Sequence, residues 1–429
     1  MASSSPFHIK THTIESQHIR EYPHATSQSQ ETPLLLSVNQ YTPKSNPSPQ
    51  PGDITILAAH ANGFVKELYE PLWEDLLRHL SSNNIRIRSI WIADVTHQGH
   101  SGILNESQLG NDPSWIDHAR DLLHLTNVFR REMPRPIIGV GHSFGANVIV
   151  NLSLFHPRLL SSVVLLDAVL SRFQSKGPKY GFAPMLASAY RRDFWPSREE
   201  AVAAFKKNRF YSTWDPRVFD KWCEHGLRDT PTSLFKDEQQ RGGVTLTTSK
   251  HMESFTYYRP TAQKLNEKGE RVVDLDLLPD ADEVVKKYPD FMFYRAEGSQ
   301  TAEKLPGLRP GALWVFGAKS EVNPPEVRKE KLELTGIGVG GSGGAKKGRV
   351  ETVTIEGYGH LVPMERTDEC AKYAADFIAK DLKHWREEQR EFDEVWKVKE
   401  DRKKWMLDED WERWMGGKPK RGDKPDWKL

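Results

Sequence analysis

Six short apolar runs, mostly separated by helical patterns, constrain the fold of this 429-residue chain more than any other feature. Most of the runs are rich in β-branched residues and lack alternation, which is typical of strands buried on both faces of a parallel sheet. They lie at 54–59, 85–92, 136–140, 162–167, 312–316 and 350–355. Helical patterns follow at 71–83, 114–131 and 146–156. This order predicts the α/β class, with a mostly parallel central sheet and helices on both faces.

The alternation of strand and helix stops once, in a long stretch rich in aromatic and charged residues. We therefore expect four parts: a first core segment at 1–168, a largely helical insertion at 169–305, a second core segment at 306–380, and a C-terminal segment at 381–429. The last segment contains six tryptophans with 14 basic and 14 acidic residues, which indicates a charged helix followed by a tail.

Charge and composition exclude several classes of function. The net charge of +1 argues against a nucleic-acid partner bound through bulk charge. No apolar run reaches the roughly 18 residues that a membrane-spanning helix needs, and the N-terminus lacks the basic and apolar regions of a secretory signal. Two cysteines, Cys223 and Cys370, are too few for a disulfide framework, which favours a reducing compartment.

The strongest chemical signal is the pentapeptide Gly-His-Ser-Phe-Gly at 141–145. It follows one predicted strand and precedes a predicted helix, which is the context that a G-x-S-x-G nucleophile elbow requires. Glycines flank Ser143 because the turn is tight, and the helix N-terminus behind it favours developing negative charge. We therefore predict that Ser143 is a nucleophile.

A serine nucleophile needs a general base, and His360 is the candidate. It lies in the segment Gly-Tyr-Gly-His at 357–360, between the last predicted strand and a helix that begins near Thr367. A histidine is more often structural, and the chain has 16. The position after the last strand, in a glycine-bounded loop, favours the catalytic interpretation here.

The segment His-Ala-Asn-Gly-Phe at 60–64 directly follows the strand at 54–59. In this architecture such a loop donates one backbone N–H to the oxyanion, and the residue after the nucleophile donates a second. We assign these donors to Phe64 and Phe144, with Asn62 as the alternative to Phe64.

The order of elbow, insertion and terminal histidine loop resembles the α/β-hydrolase superfamily, over residues 50–170 and 305–380. The phrases Ala-His-Ala-Asn-Gly-Phe at 59–64 and Ile-Ala-Asp-Val-Thr-His-Gln-Gly-His-Ser-Gly at 92–102 resemble a fungal branch of it. That branch contains peroxisomal lipase-like proteins and hydrolases of toxin biosynthesis. The resemblance implies a Ser-His-acid triad under a cap formed by the insertion.

The acid of the triad has two candidates. The superfamily usually places an aspartate after the strand at 312–316, in a G-x-x-D pattern, but this chain has Ser320 there and Glu321 one place later. Some members carry the acid instead at the end of the strand after the elbow helix, where Asp167 lies. We prefer Asp167, because a charged residue that ends an apolar strand needs a partner.

The glycine-rich segment 338–343 matches G-x-G-x-x-G, but it follows a helix and precedes a strand, which is the reverse of the dinucleotide-binding context. We expect a flexible loop there. The neighbouring basic residues Lys346, Lys347 and Arg349 leave a phosphate site, such as that of a CoA thioester, as the alternative. No cysteine and histidine cluster has zinc spacing, so neither a metal nor a cofactor is expected.

The C-terminal residues Trp427, Lys428 and Leu429 match a Ser-Lys-Leu peroxisomal address in the last two positions only. We expect a peroxisomal or cytoplasmic protein.

Together these features predict a serine hydrolase of esters or thioesters whose small-molecule substrate carries a hydrophobic acyl group. C–C bond hydrolysis and acyl transfer use the same triad. The rival interpretation is a catalytically silent hydrolase fold that binds a ligand or assembles a pathway, which the missing G-x-x-D aspartate supports.

Overall fold

The computed structural model describes residues 5–171, 182–237, 240–261, 263–278, 280–281, 285, 287–288 and 290–417. Contacts divide the chain into two compact units, with the boundary between Asp381 and Leu382. Everything described below lies in the first unit unless the second is named.

Fifteen strands are found among the described residues. In chain order they are β1 (Phe7–Glu15), β2 (Leu35–Pro43), β3 (Ile54–Ala59), β4 (Ile87–Ala93), β5 (Ile137–His142), β6 (Ser162–Leu166), β7 (Phe194–Trp195), β8 (Leu227–Asp229), β9 (Val244–Leu246), β10 (Arg259–Pro260), β11 (Gln263–Leu265), β12 (Arg271–Val273), β13 (Phe293–Tyr294), β14 (Gly311–Gly317) and β15 (Val350–Ile355).

An eight-stranded sheet forms the centre of the unit, in the order β1-β2-β4-β3-β5-β6-β14-β15. Six of these strands are parallel, namely β4, β3, β5, β6, β14 and β15. The strands β1 and β2 pair antiparallel, and β2 adds antiparallel to the β4 edge. Every residue of β3, β5, β6 and β14 is buried, as their continuous apolar runs predict. Parallel strands all end at one edge, so the loops after β3, β5, β6, β14 and β15 lie at that edge.

The α-helices of the first unit cover the sheet and build the insertion, and further α-helices occur in the second unit. They are α1 (Glu70–Ser82), α2 (Gly99–Leu104), α3 (Trp115–Val128), α4 (Phe144–Phe155), α5 (Phe182–Tyr190), α6 (Arg198–Lys207), α7 (Pro216–His225), α8 (Lys250–Tyr257), α9 (Glu297–Lys304), α10 (Pro325–Leu334), α11 (Val362–Glu365), α12 (Thr367–Glu391), α13 (Asp401–Trp405) and α14 (Glu409–Trp414). Side-chain caps begin several of them: Ser197, for example, accepts a hydrogen bond from the backbone of Glu200 at the start of α6. The α/β-hydrolase fold class that the sequence predicts is confirmed.

The insertion between β6 and β14 contains α5 to α9 and three small antiparallel sheets. It is attached to the core near the loop after β15. At the start of α7 the backbone N–H of Asp215 donates to the carbonyl of Met364 at 2.9 Å. The guanidinium of Arg217 donates to Asp75 and to Thr367, each at 2.8 Å. The exact boundaries of the four expected parts stay a prediction.

The second unit is described from residue 382 to residue 417. It contains the end of α12, a π-helical turn (Phe392–Trp396), α13 and α14. The rings of Trp411 and Trp414 contact each other at a centroid distance of 6.1 Å. Among the described residues of both units, no helix has the length and apolarity to cross a membrane.

Candidate active site

Ser143 lies in a strained turn between β5 and α4. Its backbone adopts φ 57° and ψ −118°, a region that residues with a side chain rarely occupy. Gly145 permits the close approach behind it, because a Cβ at that position would lie 2.2 Å from the carbonyl oxygen of Ala59. The turn therefore packs directly against the end of β3 and raises the Ser143 hydroxyl above the sheet, with only 6% of the residue exposed.

His360 lies between β15 and α11, and its side chain reaches Ser143. The Nε2 atom is 2.8 Å from Oγ of Ser143, which is hydrogen-bond distance for a general base. The side chain is 29% exposed, so the imidazole lies at the boundary between the buried site and solvent.

Asp167, the residue after β6, lies on the other side of this imidazole. Its Oδ1 is 3.1 Å from Nδ1 of His360, and its backbone also has a positive φ, of 38°. The structure therefore brings together Ser143, His360 and Asp167. Glu321, the alternative acid, has an exposed side chain on the loop after β14.

Three further donors hold the Asp167 carboxylate. The backbone N–H of Gly317 donates to Oδ2 at 2.8 Å, while Ser320 Oγ and Asn323 Nδ2 donate to Oδ1 at 2.7 and 2.5 Å. Burial raises the pKa of Asp167, but the hydrogen bonds and the charge of His360 outweigh it, so the pKa lies below its usual value. Sequence reasoning missed Ser320 and Asn323 as partners of the acid. Ser320 occupies the position where the superfamily pattern expects the acid itself.

The loop at 60–64, which we call the oxyanion loop, lies beside this triad. The amide of Phe144 is at the first turn of α4, where N–H groups have no intrahelical acceptor. The amide of Phe64 donates to the carbonyl of Ala61 at a long 3.2 Å. The amide of Asn62, the alternative, donates to no acceptor within the described residues.

Side chains from two other elements fix the conformation of the oxyanion loop. Gln98 is fully buried: its Oε1 accepts from the backbone of Gly63 at 2.7 Å, and its Nε2 donates to Oδ1 of Asn62 at 2.7 Å. From α8, the carbonyl of Glu253 accepts from Nδ2 of Asn62 at 3.0 Å. No local sequence signal marks Gln98 or Glu253, because each acts on residues distant in sequence.

Aromatic side chains of the insertion form an apolar wall next to this loop. The ring of Phe64 contacts the rings of Trp214 and Trp222 at centroid distances of 5.5 and 6.5 Å. Tyr211 stacks on Trp222 at 5.8 Å. Trp214 and Trp222 are 5% and 3% exposed, so these rings form a buried apolar cluster beside the oxyanion loop.

Backbone hydrogen bonds hold the glycine-rich loop, and its expected flexibility stays a prediction. The backbone N–H groups of Gly336, Gly338, Gly341, Ser342 and Gly343 all donate to nearby carbonyl oxygens, at 2.8–3.0 Å. Because these amides are already bonded, they form no cradle for a phosphate. Within the described ranges, no group of three or more His, Cys, Asp or Glu side chains is arranged to hold a metal ion. The C-terminal residues Trp427, Lys428 and Leu429 lie outside the described residues.

Comparisons with known proteins agree with this geometry. The model of the alpha/beta hydrolase family matches residues 56–373. The type I acyl-CoA thioesterase mpaH' of Penicillium brevicompactum is 40% identical over 411 residues, which cover 91% of this chain and 92% of the relative. The type I acyl-CoA thioesterase mpaH of Penicillium roqueforti (strain FM164) is 38% identical over 417 residues, covering 92% of this chain and 93% of that one.

Less similar proteins share parts of the chain or its fold. The abhydrolase domain-containing protein AFT2-1 of Alternaria alternata is 29% identical over 252 residues, 58% of this chain and 85% of the relative. Among solved structures, the peroxisomal α/β-hydrolase Lpx1 of Saccharomyces cerevisiae superposes with a TM-score of 0.65 at 15% identity, covering 94% of this chain and all of that one. The likeness to Lpx1 concerns the fold. On the family match and the Penicillium relatives, this chain belongs to the α/β-hydrolase family.

Proposed function

We propose that this protein is a serine hydrolase that cleaves thioesters of hydrophobic acyl groups, with acyl-CoA as the substrate class. The observation that carries the proposal is the continuous set of contacts from Ser143 Oγ to His360 Nε2 (2.8 Å) and from His360 Nδ1 to Asp167 Oδ1 (3.1 Å). These distances and roles are those of an acyl-transfer triad.

The proposed reaction has two halves. Ser143 Oγ attacks the thioester carbonyl while His360 Nε2 takes the hydroxyl proton, and Asp167 stabilises the imidazolium that results. The tetrahedral intermediate collapses, the C–S bond breaks, and His360 returns the proton to the leaving thiolate. Water, activated by the same histidine, then attacks the acyl-enzyme and releases the carboxylic acid and free Ser143.

The oxyanion of the intermediate needs two backbone donors. We propose Phe144 for one, because its N–H is at the N-terminus of α4. For the other, Phe64 must exchange its 3.2 Å bond to Ala61 for the oxyanion, whereas the amide of Asn62 is already without a protein acceptor in the described part of the chain. One such donor typically contributes about 3 kcal/mol to transition-state stabilisation.

Two observations support the choice of substrate. Phe64 and the buried rings of Trp214 and Trp222 make the surroundings of the oxyanion loop apolar, which suits an apolar acyl group rather than a charged one. The choice of a thioester over an oxygen ester rests on the two Penicillium relatives, whose names describe acyl-CoA thioesterases and which align over nine-tenths of the chain.

The silent-fold interpretation loses its main argument. It depended on the absence of an aspartate after β14, but the carboxylate of Asp167 lies at hydrogen-bond distance from His360.

Two measurements test the proposal on purified protein. First, a fluorophosphonate probe should form one adduct, mapped to Ser143 by mass spectrometry, and Ser143→Ala should abolish both labelling and hydrolysis. Second, kcat/KM should be higher for acyl-CoA than for the p-nitrophenyl ester of the same acyl chain, over a series of chain lengths. A folded protein without an adduct overturns the serine mechanism, and a preference for the oxygen esters overturns the thioester assignment.

Peroxisomal localisation stays a prediction. A fluorescent protein fused to the N-terminus should enter peroxisomes, and the same fusion without Trp427, Lys428 and Leu429 should not. An unchanged distribution of the shortened fusion would contradict the prediction.

A further inference from the structure

A buried chain of hydrogen bonds connects the oxyanion loop to the loop that carries His360. The backbone N–H of Ala61 lies 2.8 Å from the hydroxyl of Tyr69, which is 2.9 Å from Nδ1 of His142. Nε2 of His142 lies 3.2 Å from the carbonyl oxygen of His360. Tyr69 is 2% exposed and His142 is fully buried, so the two bonds of the Tyr69 hydroxyl are shielded from solvent.

The direction of each bond follows from the available protons. An amide N–H only donates, so the Tyr69 hydroxyl accepts a hydrogen bond from Ala61 and donates one to Nδ1 of His142. The proton of the neutral His142 ring is then on Nε2, which donates to the carbonyl of His360. Burial, together with the charge of His360, lowers the pKa of His142 to about 3, so the ring is neutral at physiological pH. Burial also raises the pKa of Tyr69, which keeps its hydroxyl protonated.

We propose that Tyr69 and His142 are positioning residues that hold the oxyanion loop and the His360 loop at a fixed separation around Ser143. The inference rests on the proposed function of Ser143 as nucleophile. His142 directly precedes Ser143, so one side chain binds the base loop while its own backbone leads into the strained turn of the nucleophile. The two side chains act through Ala61 and through the backbone of His360. The ring of His142 also packs against the ring of His360 at a centroid distance of 5.6 Å, but neither side chain hydrogen-bonds to the Ser143 hydroxyl or to a triad side chain.

Breaking this chain of hydrogen bonds should slow the chemical step. Tyr69→Phe removes one oxygen and leaves the amide of Ala61 and Nδ1 of His142 buried without partners. The two loops then relax, and a displacement of about 1 Å at a reacting group can cost a factor of about 100 in rate. We therefore expect kcat to fall by about 10- to 100-fold, with KM changed much less.

Two variants at position 142 separate the two bonds of the imidazole. In His142→Asn, the side-chain oxygen takes the place of Nδ1 and still accepts from Tyr69, but nothing reaches the carbonyl of His360. In His142→Gln, the side-chain nitrogen takes the place of Nε2 and still donates to that carbonyl. Because the bond to the His360 loop sets the position of the base, we expect His142→Gln to retain more activity than His142→Asn.

Tyr41→Phe is the matched control. Tyr41 is also fully buried, and its hydroxyl also has two partners, since it accepts from Asn39 and donates to Glu70, both at 3.1 Å. The substitution removes the same atom from a similar environment but leaves the hydrogen bonds among Ala61, Tyr69 and His142 in place. We expect Tyr41→Phe to lower the free energy of unfolding as Tyr69→Phe does, but to leave kcat within about twofold of the unmodified protein.

Each variant is compared with the unmodified full-length protein in three measurements: kcat and KM for one acyl-CoA, the second-order rate of fluorophosphonate labelling of Ser143, and urea unfolding. The inference is overturned if Tyr69→Phe lowers kcat and the labelling rate no more than Tyr41→Phe does at equal folded fraction. It is also overturned if KM rises while kcat is unchanged.

The labelling rate separates this inference from the proposed substrate. Labelling of the unmodified protein without acyl-CoA turnover would contradict the thioester assignment, while the comparison of labelling rates would still decide the positioning role. Absence of labelling in the unmodified protein would overturn both, because there would be no activated serine to position.

Discussion

Replacing Asp167 by asparagine tests the acid of the proposed triad. Oδ1 of Asp167 accepts from His360, Ser320 and Asn323, whereas Oδ2 accepts from the backbone of Gly317. A carboxamide has only one acceptor oxygen, so its NH₂ group must face one of these sets of donors. The orientation of lower energy points the NH₂ group at the single donor of Gly317 rather than at the three donors around Oδ1. This orientation keeps the contact with His360 but removes the negative charge.

The loss of that charge sets the size of the effect. An imidazolium and a carboxylate about 4 Å apart attract each other by about 4 kcal/mol at an effective dielectric constant near 20. Because each 1.36 kcal/mol corresponds to a factor of ten, the attraction is worth about a thousandfold in rate. The equivalent aspartate-to-asparagine change in a serine protease costs about 10⁴ in kcat. We therefore expect kcat of Asp167→Asn to fall by about three to four orders of magnitude.

The assay follows release of free CoA thiol with a thiol-reactive dye at saturating acyl-CoA, and circular dichroism checks that each variant is folded. Glu321→Gln is the matched control, because it removes one negative charge from the neighbouring loop, and its kcat should stay within about twofold of the unmodified protein. A loss of less than tenfold for Asp167→Asn, or an equal loss for Glu321→Gln, would refute the assignment of the acid.

Three further predictions concern stability. The pKa of His142 is about 3 in the folded state and about 6.5 in the unfolded state, so between these pH values only the unfolded state binds the extra proton. The free energy of unfolding should therefore fall on acidification through this window, by up to about 1.4 kcal/mol per pH unit. Urea unfolding of His142→Gln should show a correspondingly weaker pH dependence. Trp222→Ala should lower the free energy of unfolding by about 3–5 kcal/mol in urea titrations, because it empties the centre of the aromatic wall, and a loss below 1 kcal/mol would contradict that packing. Gly145→Ala should lower the free energy of unfolding by about 1–3 kcal/mol and slow fluorophosphonate labelling of Ser143, because the added Cβ meets the carbonyl of Ala59. Gly307→Ala, whose Cβ meets nothing within 4 Å, should change neither the stability nor the labelling rate. Equal thermal stability of the two variants would argue against the close approach at Gly145.

The central strands could be predicted from the sequence because burial on both faces leaves a local pattern. The continuous apolar run at 54–59 became β3, and the alternating run at 350–355 became the edge strand β15, each with the same bounds. The run at 85–92 became β4 at Ile87–Ala93, shifted at both ends, since strand ends depend on neighbouring strands as well as on composition. The short strands of the insertion, two or three residues each, carry no such pattern.

The residues of the candidate active site also differ in whether a local sequence pattern marks them. Ser143 and His360 lie in tight turns whose glycines mark them locally, so the sequence was sufficient to propose both, and the structure places their side chains 2.8 Å apart. The choice between Asp167 and Glu321 depends on how far two loops lie from His360 in space, and nothing in either segment records that distance. The same applies to Tyr69, whose partners Ala61 and His142 are separated from each other by 81 residues in the chain and meet only when β3 and β5 pair.

The hydroxyl of Ser320 lies 2.7 Å from the carboxylate of Asp167, although 153 residues separate them. The two strand ends on which hydrolases of this fold carry their acid, those of β6 and β14, are thus neighbours. Because Ser320 and Asp167 are in contact, two point substitutions would be enough to place the carboxylate on the β14 loop instead of after β6, with the histidine and the serine unchanged. A motif search that requires the aspartate after β14 would discard the sequence of this chain, whereas a search for any carboxylate within reach of the histidine ring would keep it.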